Sequence, residues 1–385
     1  MSFKRKKNGI VICTTEYITN KQYGGLAVFL EKFIKTLKQK YEINLIVSSK
    51  SNTSKNYKNI KIHYVNTDSF YHKLFKKYLN WFFCILQSYI INKKVNKIIN
   101  KNKNIKFIHF SNYQFIGLFY KNSLPSVTRL SSLETLWEPE NFLSIKSKLE
   151  KYTLSRSDII FSPSYFLIKE LKKIYKLKSY FLPPIIEYNK IRKKNYSSRK
   201  IILTFGSISP GKGSDTIIEI INDLLILDKD INFYWIGDVD KKYYSSNKEF
   251  ENILKKNTSF PNRVKVLKKK TKKQLFNFIN KSKIVILPSL RDNSPNACLE
   301  ALSFCKPIIA RKNSGYDDLI KNKFNGFLFN KFQNAEIVQL VSSILRLDKK
   351  KLDVLNKNII FQNKKFHPLR VRRIYENKLN KLLNF

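Results

Sequence analysis

The chain has 385 residues, 43% of them hydrophobic, and carries 74 Lys or Arg against 28 Asp or Glu, a formal net charge of +46. That length and apolar content allow two domains with sizeable cores and exclude a disordered chain. No apolar run reaches the ~18–20 residues that span a bilayer; the best, Trp81 to Ile91, is interrupted by Gln87 and Ser88. The opening SFKRKKNGIVICTTEY has only a short apolar stretch, against roughly 7–15 residues in a secretory signal, so a cytoplasmic location is expected. Cys13, Cys84, Cys298 and Cys305 are scattered without a CxxC pair, which reads as reduced core thiols and no metal site. The lysines are spread along the whole chain. Their excess reflects either a composition rich in Lys, Asn and Ile or attraction to a polyanion, and in both cases it draws the protein toward anionic lipid.

In chain order, Gly9 to Cys13 reads as a strand. Leu26, Phe29, Leu30, Phe33, Ile34 and Leu37 follow at helical spacing, and Ile43 to Val47 is the next strand. Further strands are expected at Lys61 to Val65, Ile105 to Phe110, Ser126 to Leu130, Asp158 to Phe161 and Tyr180 to Leu182. The segment Phe70 to Ile99 mixes aromatics with lysines; it suits a helix lying on anionic lipid or one packed on the sheet. Pro183-Pro184 and the polar stretch Glu187 to Lys200 read as a linker. The alternation then restarts, with strands at Lys200 to Phe205, Ile231 to Ile236, Val264 to Leu267, Lys283 to Leu287, Pro307 to Ala310 and Gly326 to Phe329. Helices are expected at Ser214 to Leu227, after a cap at Thr271, and at Asn334 to Leu345 and Pro368 to Leu383. The pattern predicts an α/β protein of two Rossmann-like, doubly wound domains facing across a cleft. The expected domains are 1–186 and 187–365, with a C-terminal helix, 366–385, crossing back to the first.

Glycine filters the loops, because there are only ten. Gly24 and Gly25 open the first helix, and Gly206-Ser207-Ile208-Ser209-Pro210-Gly211-Lys212-Gly213 joins a strand to a helix. Glycine lets backbone N–H groups approach a phosphate, and a helix N-terminus adds partial positive charge. The second loop is neither a Walker A loop, since Gly213 follows Lys212, nor a GxGxxG fingerprint. The most informative stretch is Asp292-Asn293-Ser294-Pro295 with the helix through Glu300. Pro295 suits the first helical position and Ser294 the cap. Glu300 lies in the mostly apolar run Ala297 to Phe304 and needs a partner, either a salt bridge or a sugar diol, whose two hydroxyls can donate to one carboxylate.

These segments resemble the retaining glycosyltransferases of family 4, which have the GT-B fold and serve bacterial polysaccharide or glycolipid synthesis. The match runs through Asp292, seven residues, Glu300, Ala301 and Lys306-Pro307-Ile308-Ile309, with Gly24-Gly25 and Lys212-Gly213. Ser157 to Ser164, Ser314-Gly315 and Asn325-Gly326 match more loosely. The resemblance implies a nucleoside-diphosphate sugar as donor, a saccharide or lipid-linked saccharide as acceptor, and no cofactor or metal. Glu300 would bind the ribose, Asp292 the transferred sugar and Lys212 the diphosphate. The backbone of Asn293, Ser294 and Pro295 would line the donor, and Gly25 would close over it from the first domain. Two positions depart from the family: Asp292 stands where Glu is usual, and Ser207 where Arg is usual, leaving Arg129, Arg291 or Arg311 to replace the lost cation. His109, near a strand end, is expected to face the cleft and orient substrate or act as a base. Arg129 and Ser131 are acceptor-side candidates by position. The partners expected are thus donor, acceptor and an anionic membrane surface, on the inner face of a bacterial membrane. A nucleic-acid-binding protein using its charge, without zinc spacing or an RNP-like segment, is one alternative. A non-catalytic sugar-nucleotide-binding relative is another.

Overall fold

Strands such as Gly9–Thr14 and Ile284–Leu287 are buried along their whole length, which requires a parallel sheet with helices on both faces. The computed structural model describes residues 7–20, 24–67, 79–121, 123–137, 144–186, 200–330 and 333–383. They fall into two units: Met1–Ile185 with Pro368–Phe385, and Ile186–His367.

Unit 1 contains β1 (Gly9–Thr14), α1 (Gly25–Leu37), β2 (Glu42–Ser49), β3 (Thr53–Tyr57), β4 (Ile60–Asn66), α2 (Asn80–Lys101), β5 (Ile105–Ser111), β6 (Ser126–Arg129), α3 (Glu134–Trp137), α4 (Ile145–Ser155), β7 (Ile159–Ser162), α5 (Tyr165–Tyr175) and β8 (Tyr180–Phe181). Unit 2 contains β9 (Ile201–Phe205), α6 (Ser214–Ile226), β10 (Asn232–Ile236), α7 (Asn247–Lys256), β11 (Val264–Leu267), α8 (Lys272–Lys281), β12 (Ile284–Leu287), α9 (Asn296–Ser303), β13 (Ile308–Arg311), α10 (Tyr316–Leu319), β14 (Phe327–Phe329), α11 (Asn334–Leu345) and α12 (Lys349–Asn363). The last helix, α13 (Pro368–Leu383), is part of unit 1. The linker stretch 187–199 lies outside the described residues.

The unit 1 sheet runs β3-β4-β2-β1-β5-β6-β7-β8, parallel except for β3 against β4. The unit 2 sheet runs β11-β10-β9-β12-β13-β14, all parallel. Each sheet starts at its centre and reverses direction of growth once, between β1 and β5 and between β9 and β12. Loops leaving the carboxyl ends of such a strand pair diverge, and a crevice opens between them. The functional groups described below are arranged around these two points.

In unit 1, Ile12, Phe33, Phe107, Val371 and Tyr375 fill one face of the sheet, and Val11, Cys13, Ile46, Ile91 and Val95 the other. In unit 2, Phe233, Trp235, Ile217 and Ile221 cover one face, and Leu203, Val285, Leu302 and Ile359 the other. Burying each such side chain stabilises by about 1.5–3 kcal/mol. All four cysteines are free thiols.

Two features differ from the sequence reading. The hairpin β3–β4 was not read from the sequence: β3 is polar and largely exposed, and its turn uses Lys58 and Asn59 at φ 49° and 63° where glycine is usual. The aromatic segment expected as a helix from Phe70 is described only from Leu79 onward; there α2 packs Ile91, Val95 and Ile98 against the sheet, and Phe83 and Cys84 against Phe115. Among the described residues no helix is long and apolar enough to cross a membrane.

Candidate active site

The crevice of unit 2 joins two loops that are 80 residues apart in sequence. Leu290 N–H donates to the Gly211 carbonyl at 3.0 Å, tying the loop after β12 to the loop after β9. Gly213 lies at φ +85°, and a Cβ there would stand 2.6 Å from the Pro288 carbonyl oxygen, so only glycine lets the loops meet. Lys212 Nζ then donates to Asp292 Oδ2 at 2.8 Å, with both side chains partly exposed. The other carboxylate oxygen of Asp292 accepts from Ser294 N–H at 3.3 Å. Its carbonyl accepts from Gly315 N–H at 2.6 Å, where a Cβ would strike the Asn293 carbonyl at 2.4 Å.

The start of α9 differs from expectation. Pro295 occupies the cap position and Asn296 is the first helical residue; no side chain caps the helix. Ser294 does not cap because its backbone is held in the turn closed by Asp292. The uncapped end leaves backbone N–H groups beside the Asp292 loop. One turn into α9, Glu300 is half-buried between the buried residues Leu299 and Ala301. Lys306 is buried, and its Nζ donates to the carbonyls of Asn280 and Ser282 at 2.7 and 2.9 Å, at the end of α8. Burial pushes its pKa down to about 8. The lysine of the Lys-Pro pair is thus a packing element.

Ser207 is exposed and brings no cation. Arg311 does not replace one there: it is buried, with Nε on the Pro288 carbonyl at 3.3 Å and Nη2 on Thr216 Oγ1 at 3.0 Å. Arg291 is exposed beside Asp292. In Asp238-Val239-Asp240, Asp238 accepts from Lys269 N–H and Asp240 from Lys242 N–H.

In unit 1, Gly24 caps α1 and Gly25 is its first residue. A carboxylate already sits on this helix start: Glu16 accepts from Gly24 N–H at 2.9 Å and Ala27 N–H at 3.3 Å. His109, expected to face the cleft and orient substrate or act as a base, is instead buried in unit 1. Its imidazole is 1% exposed, Nδ1 pairs with Tyr375 Oη at 2.9 Å, and the ring packs on Phe33 and Tyr375. Burial first, then the charge of Arg129, pushes its pKa down to about 3, so it is neutral. The strand-end histidine was read as facing the cleft because nothing in the sequence revealed that α13 covers it.

Arg129 is also buried, its Cζ 3.4 Å from the centre of the Phe29 ring. Ser131 donates through N and Oγ to Asn112 Oδ1 at 2.8 and 3.1 Å. Asn112 in turn donates to Glu150, which also accepts from Glu134 N–H and Tyr175 Oη. Burial pushes Glu150 up to about 7. Glu16, Asn112 and Glu150 were missed: each is an isolated polar residue with no motif around it.

Two Rossmann-type α/β units, each with a crevice at its switch point, are the architecture of the GT-B fold. The comparisons narrow this. Residues 187–360 match the family described as glycosyl transferases group 1. The chain is 27% identical over 368 residues to an uncharacterized glycosyltransferase of Methanocaldococcus jannaschii, covering 92% of this chain and 94% of the other. It is 35% identical over 83 residues, 21% of each chain, to the UDP-Gal:alpha-D-GlcNAc-diphosphoundecaprenol alpha-1,3-galactosyltransferase of Escherichia coli. Its fold resembles sucrose-phosphate synthase from Thermosynechococcus elongatus, with a TM-score of 0.78 at 13% identity over 98% of this chain and 100% of that one. The protein is a glycosyltransferase with the GT-B fold.

Proposed function

We propose that this enzyme is a retaining, family 4 type transferase. It moves a sugar from a nucleoside-diphosphate sugar to a hydroxyl of a saccharide or lipid-linked saccharide acceptor. The observation that carries the reading is the Lys212–Asp292 pair beside the uncapped start of α9, with Glu300 on the same helix.

In this reading the bond from the anomeric carbon to the diphosphate oxygen breaks, and a bond to the acceptor oxygen forms on the same face. The acceptor proton passes to the departing diphosphate. Negative charge grows on that leaving group, where Lys212 and the α9 N–H groups stabilise it. Asp292 turns from Lys212 to hydroxyls of the transferred sugar. Glu300 accepts two hydrogen bonds from the ribose, and the backbone of Asn293, Ser294 and Pro295 lines the donor. No metal takes part. Arg129 and Ser131 belong to the acceptor side. His109, buried and neutral, is not the base.

The name of the E. coli relative includes UDP-Gal and a diphosphoundecaprenol-linked sugar, which supports a uridine nucleotide and a lipid-linked acceptor as the first pair to test. The charge of +46 supports peripheral binding to an anionic membrane surface, in service of bacterial surface-glycan synthesis.

A panel of UDP-, GDP-, ADP- and dTDP-sugars, followed by thermal shift and by release of nucleoside diphosphate, tests the proposal. One nucleotide class should stabilise the wild type and fail to stabilise Glu300→Ala. Absence of any shift across the panel at low and high salt would overturn it.

A further inference from the structure

One strand from the switch point of unit 1, a buried cation stacks on the Phe29 ring without a counter-charge among the described residues. Arg129 ends β6 and is 3% exposed. Nη1 donates to the Leu130 carbonyl at 3.3 Å, but Nε and Nη2 are buried without a hydrogen-bond partner. Among the described residues no carboxylate pairs with it. Burial alone lowers its pKa to about 9, so it stays charged at neutral pH.

The neighbouring strand adds to the pattern. Ser111 is the ladder partner of Arg129, and its Oγ is buried without a partner. His109, two residues earlier, leaves Nε2 equally unpartnered. Strand alternation puts Ser111 on the sheet face of His109, and Arg129 on that of Val127. This is the face that Phe29, Phe33 and Tyr375 cover. Nδ1 of the neutral imidazole and the Tyr375 hydroxyl share one hydrogen bond at 2.9 Å in which either can be the donor. The guanidinium and the hydroxyl thus offer donors that meet no acceptor, and Nε2 of the imidazole lies on the same face without a partner.

Buried donors without an acceptor are costly, and an unpaired buried cation more so. The planar fork of arginine matches the two oxygens of a phosphate or carboxylate. The group lies at the carboxyl edge of a parallel sheet beside its switch point, where ligands bind. We propose that Arg129 and Ser111, joined by His109 with its proton on Nε2, form a binding site for an oxyanion, a phosphate or carboxylate group carried by the acceptor. The acceptor class is therefore a negatively charged saccharide or saccharide phosphate. The inference rests on the acceptor-side reading of unit 1 for the identity of the molecule, and on the geometry alone for the anion.

The test is thermal unfolding of the full chain in inorganic phosphate, acetate or chloride at matched ionic strength. The variants are Arg129→Met, Arg129→Lys and Ser111→Ala, with exposed Lys93→Met as a charge-matched control. Wild type and Lys93→Met should show a saturable rise in Tm with phosphate or acetate over chloride. Arg129→Met should melt no lower than wild type in chloride, because it removes an unpaired buried charge, and should lose the saturable rise. Arg129→Lys, which keeps the charge without the fork, should need about tenfold more anion, and Ser111→Ala a few-fold more. A response to phosphate alone assigns a phosphate group; an equal response to acetate assigns a carboxylate. An anion response identical in wild type and Arg129→Met overturns the site. So does Arg129→Met melting well below wild type in chloride while Arg129→Lys keeps full stability and responds to neither anion. A UDP titration of the wild type reads the donor proposal separately, so either can fail alone.

Discussion

The two units share a sheet that grows from its centre and reverses once, and they treat charge in opposite ways. At the switch point of unit 2, Lys212 is partly exposed and paired with Asp292 at 2.8 Å. Beside that of unit 1, Arg129 is buried without a counter-charge, while the carboxylate Glu16 sits on the start of α1. A solvated pair costs little to open, so Lys212 and Asp292 can each turn to a ligand. A buried lone cation is held ready and waits for an anion. Strand order places a crevice in both units, but the side chains at the loop ends decide what each crevice binds.

The strongest way to break this comparison is at the unit 2 pair. Asp292→Asn should lower kcat about 100-fold while changing donor Kd by less than about threefold, because in the proposed reaction its contact forms to the transferred sugar. Steady-state transfer rates alongside calorimetric donor binding decide this, and an unchanged kcat removes Asp292 from the site. Glu300→Ala should instead raise donor Kd by about 30-fold, in line with losing hydrogen bonds to a charged group. Equal Kd in the two proteins would take the ribose away from Glu300.

Loop contact comes next. Gly213→Ala should destabilise unit 2 by about 3 kcal/mol, through positive φ and the Pro288 carbonyl together. Gly206→Ala, at φ +128° with open space around it, should cost only about 1–2 kcal/mol. Denaturant unfolding of both variants isolates the loop-to-loop approach.

The unit 1 face has its own pH signature. His109 has a folded pKa of about 3 against 6.5 in the unfolded chain. The unfolded state therefore binds more protons between those values, and stability falls as pH drops through that window. From pH 7 to 4.5 the loss assigned to His109 is on the order of 2–3 kcal/mol. His109→Gln should flatten that slope in urea titrations; an unchanged slope would mean the imidazole is not held neutral. The smallest effect concerns Glu16. Glu16→Gln should cost about 0.5–1 kcal/mol by weakening the interaction with the α1 start.

Much of the fold was legible because buried parallel strands read as short apolar runs and their helices as amphipathic ones. The ranges read for Val264 to Leu267, Asn334 to Leu345 and Pro368 to Leu383 coincide with β11, α11 and α13. The unit 2 residues were legible too, because Asp292, the Pro295 turn and Glu300 lie within nine positions of one another. What failed depended on distant chain. His109 was misread since Tyr375, 266 residues later, covers it, and Ser294 since Asp292 and Gly315 fix its loop.

By itself, the sequence determined the two α/β halves, the glycine loops and the signature running from Asp292 to Ile309. Those are local matters of periodicity, turn chemistry and short spacing. Only the tertiary structure decided that Lys212 meets Asp292, that Arg311 is committed to Pro288 and Thr216, and that Arg129 is buried without a counter-charge. Each of these depends on which strands become neighbours in the sheet, and strand order is a long-range choice that no local pattern records.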